Sequence, residues 1–136
     1  TPAALSSVLG ALRPLTKGRL IVVFGAGGDR DRLKRAPMAA AVAKIADVMV
    51  LTSDNPRNED PDQILDDLVP GLEGRVYERV VDRDKAIRVA FASAQEGDTV
   101  VLAGKGHETY QVVGDEYRPF DERVIVRDCL AELGVA

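Results

Sequence analysis

The stretch RLIVVFGAGGDRD, residues 19–31, decides the fold, because a run of apolar residues leads directly into a glycine-rich loop. The run at 19–24 does not alternate between polar and apolar side chains, which is typical of a strand buried on both faces. DVMVL (47–51), RVYERVV (75–81) and DTVVLAG (98–104) are predicted as three further strands. Because helical patterns separate the four strands, we predict a doubly wound, mostly parallel, Rossmann-like α/β sheet with right-handed crossovers.

Helical spacing of apolar residues predicts five helices around this sheet. Asp60 is a plausible N-cap, with Pro61 in the first turn and Gln63 placed for a capping box. YQVVGDEYRPF (110–120) has a Gly-Asp turn between two alternating arms, which predicts a C-terminal hairpin, and Asp121 caps a final helix. The residues predicted to face inward are Leu5, Val8, Leu9, Leu12, Met38, Val42, Ile45, Ile64, Leu65, Leu68, Ile87, Ala90, Phe91, Ala94, Val126, Cys129, Leu130 and Leu133.

Length and composition indicate one domain, spanning 1–136, that binds a small polar ligand. With 46% hydrophobic and 29% charged residues, the chain can bury a core and is neither disordered nor membrane-spanning. A net charge of -4, with three Phe and three Tyr, argues against nucleic-acid binding. The single cysteine excludes an internal disulfide, and Cys129 is predicted to be a core thiol. The chain opens on Thr1-Pro2 without Met, so we expect a piece of a longer protein.

Unusual polar residues follow the predicted strands, at the ends where parallel sheets bind ligands. GAGGDRD (25–31) follows the first strand, TSDNPR (52–57) the second, Asp82 the third and GKGHE (104–108) the fourth. The glycine loop does not match the dinucleotide fingerprint, because Arg30 stands where its third glycine would be. The glycine loop therefore requires an explanation other than the dinucleotide fingerprint.

Two explanations of the glycine loop remain open. Gly25, Gly27 and Gly28 allow positive φ and close approach of the backbone, either for a tight turn or for a ligand. Asp29, Arg30 and Asp31 favour a ligand, because positive and negative side chains are concentrated where the backbone is open.

The tetrapeptide DNPR (54–57) has the chemistry to bind an amino acid. Pro56 restricts its own φ and pushes Asn55 toward an extended conformation. Asp54 and Asn55 can accept hydrogen bonds from an ammonium group, and the planar fork of Arg57 can bind a carboxylate. The alternative is that Asp and Asn only begin a turn before proline, and the tetrapeptide alone does not exclude it.

The GKGHE segment adds a carboxylate, Glu108, and the open backbone of Gly104 to the same edge. Lys105 could meet phosphate or solvent, and no Walker A motif is formed because neither Ser nor Thr follows it. His107 is expected to be a hydrogen-bonded structural residue. The sequence contains no nucleophile and base pair and no metal-ligand spacing. We therefore predict no catalytic residue and no metal site, and a domain that binds a ligand without transforming it unaided.

GAGGDRDRLKR (25–35), TSDNPRNEDP (52–61) and AGKGHETYQ (103–111), in this order, resemble the carboxyl-terminal domain of Mur ligases, in the UDP-N-acetylmuramoyl-tripeptide synthetase group. The resemblance implies the amino-acid-binding domain of a cytoplasmic, three-domain, ATP- and Mg²⁺-dependent ligase. Its substrates would be UDP-MurNAc-L-Ala-D-Glu and, because DNPR resembles the diaminopimelate-adding form, meso-diaminopimelate.

The resemblance also implies roles for individual residues. The recognition motif would be Asp54, Asn55, Pro56 and Arg57, with Arg30 as a second guanidinium, Gly104 and Glu108 at the far amino group, and Asp29 facing the nucleotide. The family's P-loop, magnesium ligands and modified lysine belong to a central domain that is absent here, so ATP and Mg²⁺ would be bound mainly outside this chain. We therefore expect the chain alone to be inactive.

Two other functions stay open from the sequence. The chain could be a stand-alone amino-acid-binding module, or part of a related ligase that adds lysine. Arg57 argues against lysine, because its guanidinium would then have no second carboxylate to bind.

Overall fold

A four-stranded parallel sheet forms the centre of the computed structural model, which describes residues 1–135. The sheet order is β3-β2-β1-β4, and all three strand pairs are parallel. The hairpin forms a separate antiparallel pair. The predicted fold class is confirmed. The strands are β1 Leu20–Phe24, β2 Val48–Leu51, β3 Glu78–Arg79, β4 Thr99–Leu102, β5 Tyr110–Val113 and β6 Glu116–Pro119.

Five helices alternate with the strands as predicted. They are α1 Pro2–Leu12, α2 Arg35–Ile45, α3 Pro61–Leu68, α4 Arg83–Ser93 and α5 Glu122–Glu132. Side-chain oxygens cap four of them, because Thr1, Asp60, Asp82 and Asp121 each accept a hydrogen bond from a backbone N–H of the first turn. Short 3-10 segments precede α2 and follow α1 and α3.

Both faces of the sheet are covered, so β1 is buried along its whole length. Leu20, Val22 and Phe24 point to a core shared with α1, α2 and α3. Ile21 and Val23 point to the opposite core, which α4 and α5 cover. Cys129 lies in this second core as predicted, and its burial raises the pKa of the thiol.

The third strand is much shorter than predicted, with two residues in place of the range 75–81. It forms the edge of the sheet, and Val76 before it is exposed. Arg75 explains the difference, because its guanidinium donates to the carbonyl oxygens of Ala43 and Ala46 at the end of α2. This tertiary contact holds the chain away from the neighbouring strand, although the valines and the tyrosine of the segment favour a strand.

Three side chains point in other directions than predicted. Val8 and Leu133 are exposed, not inward. The capping box at the start of α3 does not form, because Gln63 Nε2 donates to Asp67 Oδ1 at 3.1 Å. Asp60 still caps the helix by accepting from the backbone N–H of Asp62.

Arg83 connects four elements at the carboxyl edge of the sheet. Its side chain is fully buried at the start of α4. Its guanidinium donates to Ser53 O beyond β2 at 3.0 Å, to Ala103 O beyond β4 at 3.1 Å and to Glu122 Oε2 of α5 at 3.0 Å. The buried guanidinium of Arg83 therefore holds together the loops that follow β2 and β4.

Replacing Arg83 by Met is expected to lower the free energy of unfolding by about 3–5 kcal/mol, because Glu122 and two buried carbonyls would lose their partner. Denaturant unfolding measures this change. Lys85→Met, at an exposed position of the same helix, is the control and should change the stability little. Equal losses in the two variants would contradict the assigned role of Arg83.

Candidate amino-acid site at the carboxyl edge of the sheet

Three loops meet where the winding of the sheet reverses, between β1 and β4. They follow β1 (25–31), β2 (52–57) and β4 (103–108). A Cβ atom on Gly25 would lie 2.1 Å from Thr52 O, and one on Gly104 would lie 3.2 Å from Asp54 Oδ2. Asp82, also predicted at this edge, caps α4 and has no other assigned role.

The glycine loop packs directly on the backbone of the DNPR segment. Gly28 N donates to Asn55 O at 2.7 Å, and a Cβ atom on Gly28 would lie only 1.7 Å from Pro56 O. In this region the positive φ belongs to Asp29, at 55°, and not to the loop glycines. Close packing between the two loops therefore explains Gly25 and Gly28, which leaves Asp29 and Arg30 as the residues directed toward solvent.

Asp29 and Arg57 both have backbones in the left-handed region, with φ of 55° and 52°. Such backbone strain costs about 1–3 kcal/mol per residue and is concentrated at functional sites. Glu59 Oε2 accepts from Asp29 N at 2.8 Å. Arg57 is held through its own N–H, which donates to Val112 O at 3.0 Å, and through its carbonyl, which accepts from Gly114 N at 2.6 Å.

The β5–β6 hairpin lies along the DNPR segment and holds it. Arg57 forms a parallel bridge with Val113. Gln111 Nε2 donates to Asp54 O at 2.6 Å, and Val112 N donates to Asn55 Oδ1 at 3.0 Å. The sequence predicted the hairpin correctly but not this contact.

Lys105 is turned into the protein, so the prediction that it meets phosphate or solvent is wrong. Its side chain is fully buried, and Nζ donates to Asn55 Oδ1 at 2.7 Å and to Tyr110 O at 2.9 Å. The same nitrogen lies 3.5 Å from Asp54 Oδ1 and 3.5 Å from Glu108 Oε1. The one local signal for this position is Glu108, three residues further along the chain.

Asn55 uses its carbonyl oxygen inside the protein. Oδ1 accepts from both Lys105 Nζ and Val112 N, while Nδ2 donates to Glu108 Oε1 at 3.3 Å. The expectation that Asn55 accepts from a ligand ammonium therefore needs correction, because both lone pairs already have donors. Asp54 and Glu108 are the acceptors that remain for an ammonium group.

Two guanidinium groups border the glycine loop. Arg57 Nη1 donates to Gly28 O at 2.9 Å, and Arg30 Nη1 donates to Asp29 O at 3.3 Å. A Cβ atom on Gly27 would lie 2.9 Å from Arg57 Nη1 and 3.5 Å from Arg30 Cγ, so both side chains approach the same glycine. Neither guanidinium forms an ion pair with a carboxylate in the described part of the chain.

His107 is exposed on the loop beside Lys105, and its ring makes no hydrogen bond within residues 1–135. The expected structural role is therefore not observed. An apolar groove of about 340 Å³ borders the same loop and includes Gly104. Val8, which was predicted to be inward, lines this groove together with Ala4, Leu5, Met38, Val101 and Ala103.

A buried arginine at the start of α2, Arg35, supports the glycine loop. Arg35 Nη2 donates to Gly27 O at 3.0 Å, and its guanidinium pairs with Glu59 and Asp67. A hydrogen bond from Arg32 lowers the pKa of Asp67 to about 2, and Arg35 acts in the same direction. The hydrogen bond from Arg35 also lowers the pKa of Glu59. The role of Arg35 could not be predicted from the sequence, because its carboxylate partners are 24 and 32 residues away.

Comparison with known proteins identifies the family. The family model described as Mur ligase, glutamate ligase domain matches residues 1–106. The chain belongs to the Mur ligase family. It is 53% identical over 133 residues to the UDP-N-acetylmuramoyl-L-alanyl-D-glutamate--2,6-diaminopimelate ligase of Nostoc sp., covering 97% of this chain and 27% of the relative. The ligase of the same name from Synechococcus sp. is 57% identical, covering 90% of this chain and 25% of the relative.

A solved structure supports the same assignment of this Mur ligase domain. The structure of a UDP-N-acetylmuramoyl-L-alanyl-D-glutamate--2,6-diaminopimelate ligase superposes with a TM-score of 0.92 and 43% identity, over 100% of this chain and 28% of that chain. The chain thus spans about a quarter of the length of its curated relatives. None of its helices within residues 1–135 has the length and apolar character needed to cross a membrane.

The Mur ligase domain brings together most of the residues predicted to bind a ligand. Asp54, Asn55 and Glu108 surround Lys105, and Gly104 lies against Asp54. Pro56 packs on Gly28, and the Arg57 guanidinium and the aliphatic part of the Arg30 side chain approach Gly27. Ligand binding by any of these residues, and a nucleotide-facing role of Asp29, remain predictions.

The low pKa of Asp67 predicts acid sensitivity. Folding lowers this pKa from 3.8 to about 2, so its contribution to stability is complete above pH 4 and is lost as the pH falls toward 2. Asp67→Asn should lower the free energy of unfolding by about 2 kcal/mol at pH 7 and by less near pH 2. Denaturant unfolding at several pH values measures the difference, with Asp115→Asn in the exposed hairpin turn as control. An unchanged pH dependence in Asp67→Asn would contradict the prediction.

Proposed function

We propose that the chain is the carboxyl-terminal, amino-acid-binding domain of a three-domain Mur ligase that adds meso-diaminopimelate to UDP-MurNAc-L-Ala-D-Glu. One observation carries the proposal: the loops that meet at this edge of the sheet present two guanidinium groups without carboxylate partners within residues 1–135 and two carboxylates that share one buried lysine. This pattern of charge complements an amino-acid zwitterion. The names of the relatives, which cover almost the whole chain at about half identity, support the same substrate.

In the proposed reaction, ATP converts the glutamyl carboxylate of UDP-MurNAc-L-Ala-D-Glu into an acyl phosphate and ADP is released. The amine of the diamino acid attacks the acyl carbon, forming the amide and releasing phosphate. ATP and Mg²⁺ would be bound mainly by the central domain, with Asp29 facing the nucleotide, and the resemblance places the reaction in the cytoplasm. The chain by itself would neither hydrolyse ATP nor form the amide.

The role of this domain would be to position the attacking amine. Arg57 and Arg30 would bind the carboxylate at the far end of meso-diaminopimelate, while Asp54 and Glu108 would accept from the ammonium on the same carbon. Lysine lacks that carboxylate, so it would leave both guanidinium groups without a partner. The strained backbone of Arg57 and its two hydrogen bonds to the hairpin would hold its fork in place before the ligand arrives.

An NMR titration of this chain with meso-diaminopimelate, with L-lysine as the control ligand, tests the proposal. We expect backbone shifts at Arg30, Asn55, Arg57 and Glu108 with the first ligand only. The method detects dissociation constants of about 1 mM, which correspond to about 4 kcal/mol of binding free energy. Equal shifts with lysine would contradict the proposed specificity, and no shift with either ligand would contradict amino-acid binding by this chain.

Arg57→Gln should weaken meso-diaminopimelate binding by about 10- to 100-fold, because a charge-assisted hydrogen bond contributes about 1.5–3 kcal/mol. Titration calorimetry measures this change, and a thermal melt establishes that the variant is folded. Arg118→Gln in the exposed strand β6 is the matched control and should bind as the unmodified chain does. A folded Arg57→Gln variant with unchanged affinity would exclude Arg57 from the site.

A further inference from the structure

The proposed function assigns no role to Lys105, although its ammonium lies close to three of the predicted ligand-binding residues, Asp54, Asn55 and Glu108. Its side chain has no exposed surface, whereas the side chains of Asp54 and Glu108 are 16% and 35% exposed. The ammonium therefore lies behind the two carboxylates, on their protein side. One positive and two negative charges leave this group with a net charge of −1.

We propose that Lys105 is a positioning and specificity-determining residue of the amino-acid site. Its ammonium orients Asn55 and holds Asp54 and Glu108 together, with one unbalanced negative charge facing the ligand. That charge matches a single ammonium group, such as the one at the far end of a diamino dicarboxylic acid. This inference rests on the proposed function, which supplies the ligand.

The distances show that Lys105 leaves the carboxylates available. Nζ has three N–H donors, and the two short bonds, at 2.7 and 2.9 Å, go to Asn55 Oδ1 and Tyr110 O. Both carboxylates lie at the longer distance of 3.5 Å. Lys105 approaches one oxygen of each carboxylate, Oδ1 of Asp54, which is buried, and Oε1 of Glu108. The second oxygen of each carboxylate would therefore remain for a ligand ammonium.

Lys105 also determines which end of the Asn55 amide faces the carboxylate. Because Nζ and Val112 N both donate to Oδ1, the amide nitrogen has to point the other way, toward Glu108. Without the ammonium, one of the two donors that fix this orientation is lost. The amide would then no longer be held with Nδ2 toward Glu108, and that carboxylate would lose the hydrogen bond that orients it.

Lys105→Met, which keeps most of the side-chain volume and removes the charge, tests the inference. We expect meso-diaminopimelate affinity to fall by at least about 10-fold, because Asn55 and the two carboxylates would lose the group that orients them. The matched control is Lys44→Met on the exposed side of α2, which should bind normally. A folded Lys105→Met variant that binds like the unmodified chain would overturn the inference.

The double variant Lys105→Met/Glu108→Gln separates charge from simple structural support. It restores the net charge of −1, so its affinity should be equal to or higher than that of Lys105→Met alone, although Glu108 belongs to the site. If Lys105 were purely structural, the Glu108→Gln change would weaken binding further. The fold-losses in affinity of the two single variants would then multiply in the double variant. Multiplied losses would therefore overturn the inference.

A measurement on the unmodified chain remains decisive even if these variants do not fold. The ¹⁵N resonance of the Lys105 ammonium is followed during the meso-diaminopimelate titration, beside the backbone amides of Asn55 and Glu108. The inference expects the ammonium and amide signals to move together. Moving amides with an unmoved ammonium would overturn the role of Lys105 alone. If no signal moves, the proposed amino-acid site is refuted and the role of Lys105 falls with it.

Discussion

Gly28 and Pro56 meet backbone to backbone, and the carboxyl edge of the sheet depends on this contact. Position 28 has no room for a side chain, because a Cβ atom on Gly28 would lie 1.7 Å from Pro56 O. The contact brings the guanidinium of Arg57 within 2.9 Å of Gly28 O and places the chain reversal at Asp29 directly beside it. The loops that follow β1 and β2 therefore form one surface, and the site is built on that surface.

Three buried cations then hold this surface from inside. Arg83 ties the ends of β2 and β4 to α5, Arg35 ties the glycine loop to α3, and Lys105 ties the DNPR segment to the hairpin. Each of them pairs with backbone carbonyls or an amide as well as with carboxylates. Buried ion pairs of this kind add little net stability compared with apolar packing, but they hold loop geometry specifically. Rigid support is what a site that acts by positioning its ligand would require.

The layers of the fold were predictable because a strand that is buried on both faces, such as β1, is a continuous run of apolar residues. The edge strand was not, since the pattern at 75–81 favours a strand while Arg75 makes a distant bond to the end of α2. The polar loops were located correctly because strand ends fix their position in a parallel sheet. The inward direction of Lys105 could not be predicted, because Asn55, its shortest contact, is 50 residues away in the sequence.

A short segment brings the two kinds of charge in the proposed site together. Asp54 belongs to the group around Lys105, Asn55 links that group to Glu108, and Arg57 reaches over the glycine loop. Because Pro56 and the hairpin fix the backbone between them, the negative and positive regions cannot separate. Such a site would favour a ligand whose ammonium and carboxylate are attached to the same carbon over one that carries an ammonium alone. The choice between diaminopimelate and lysine would then follow from the geometry of the four residues 54–57.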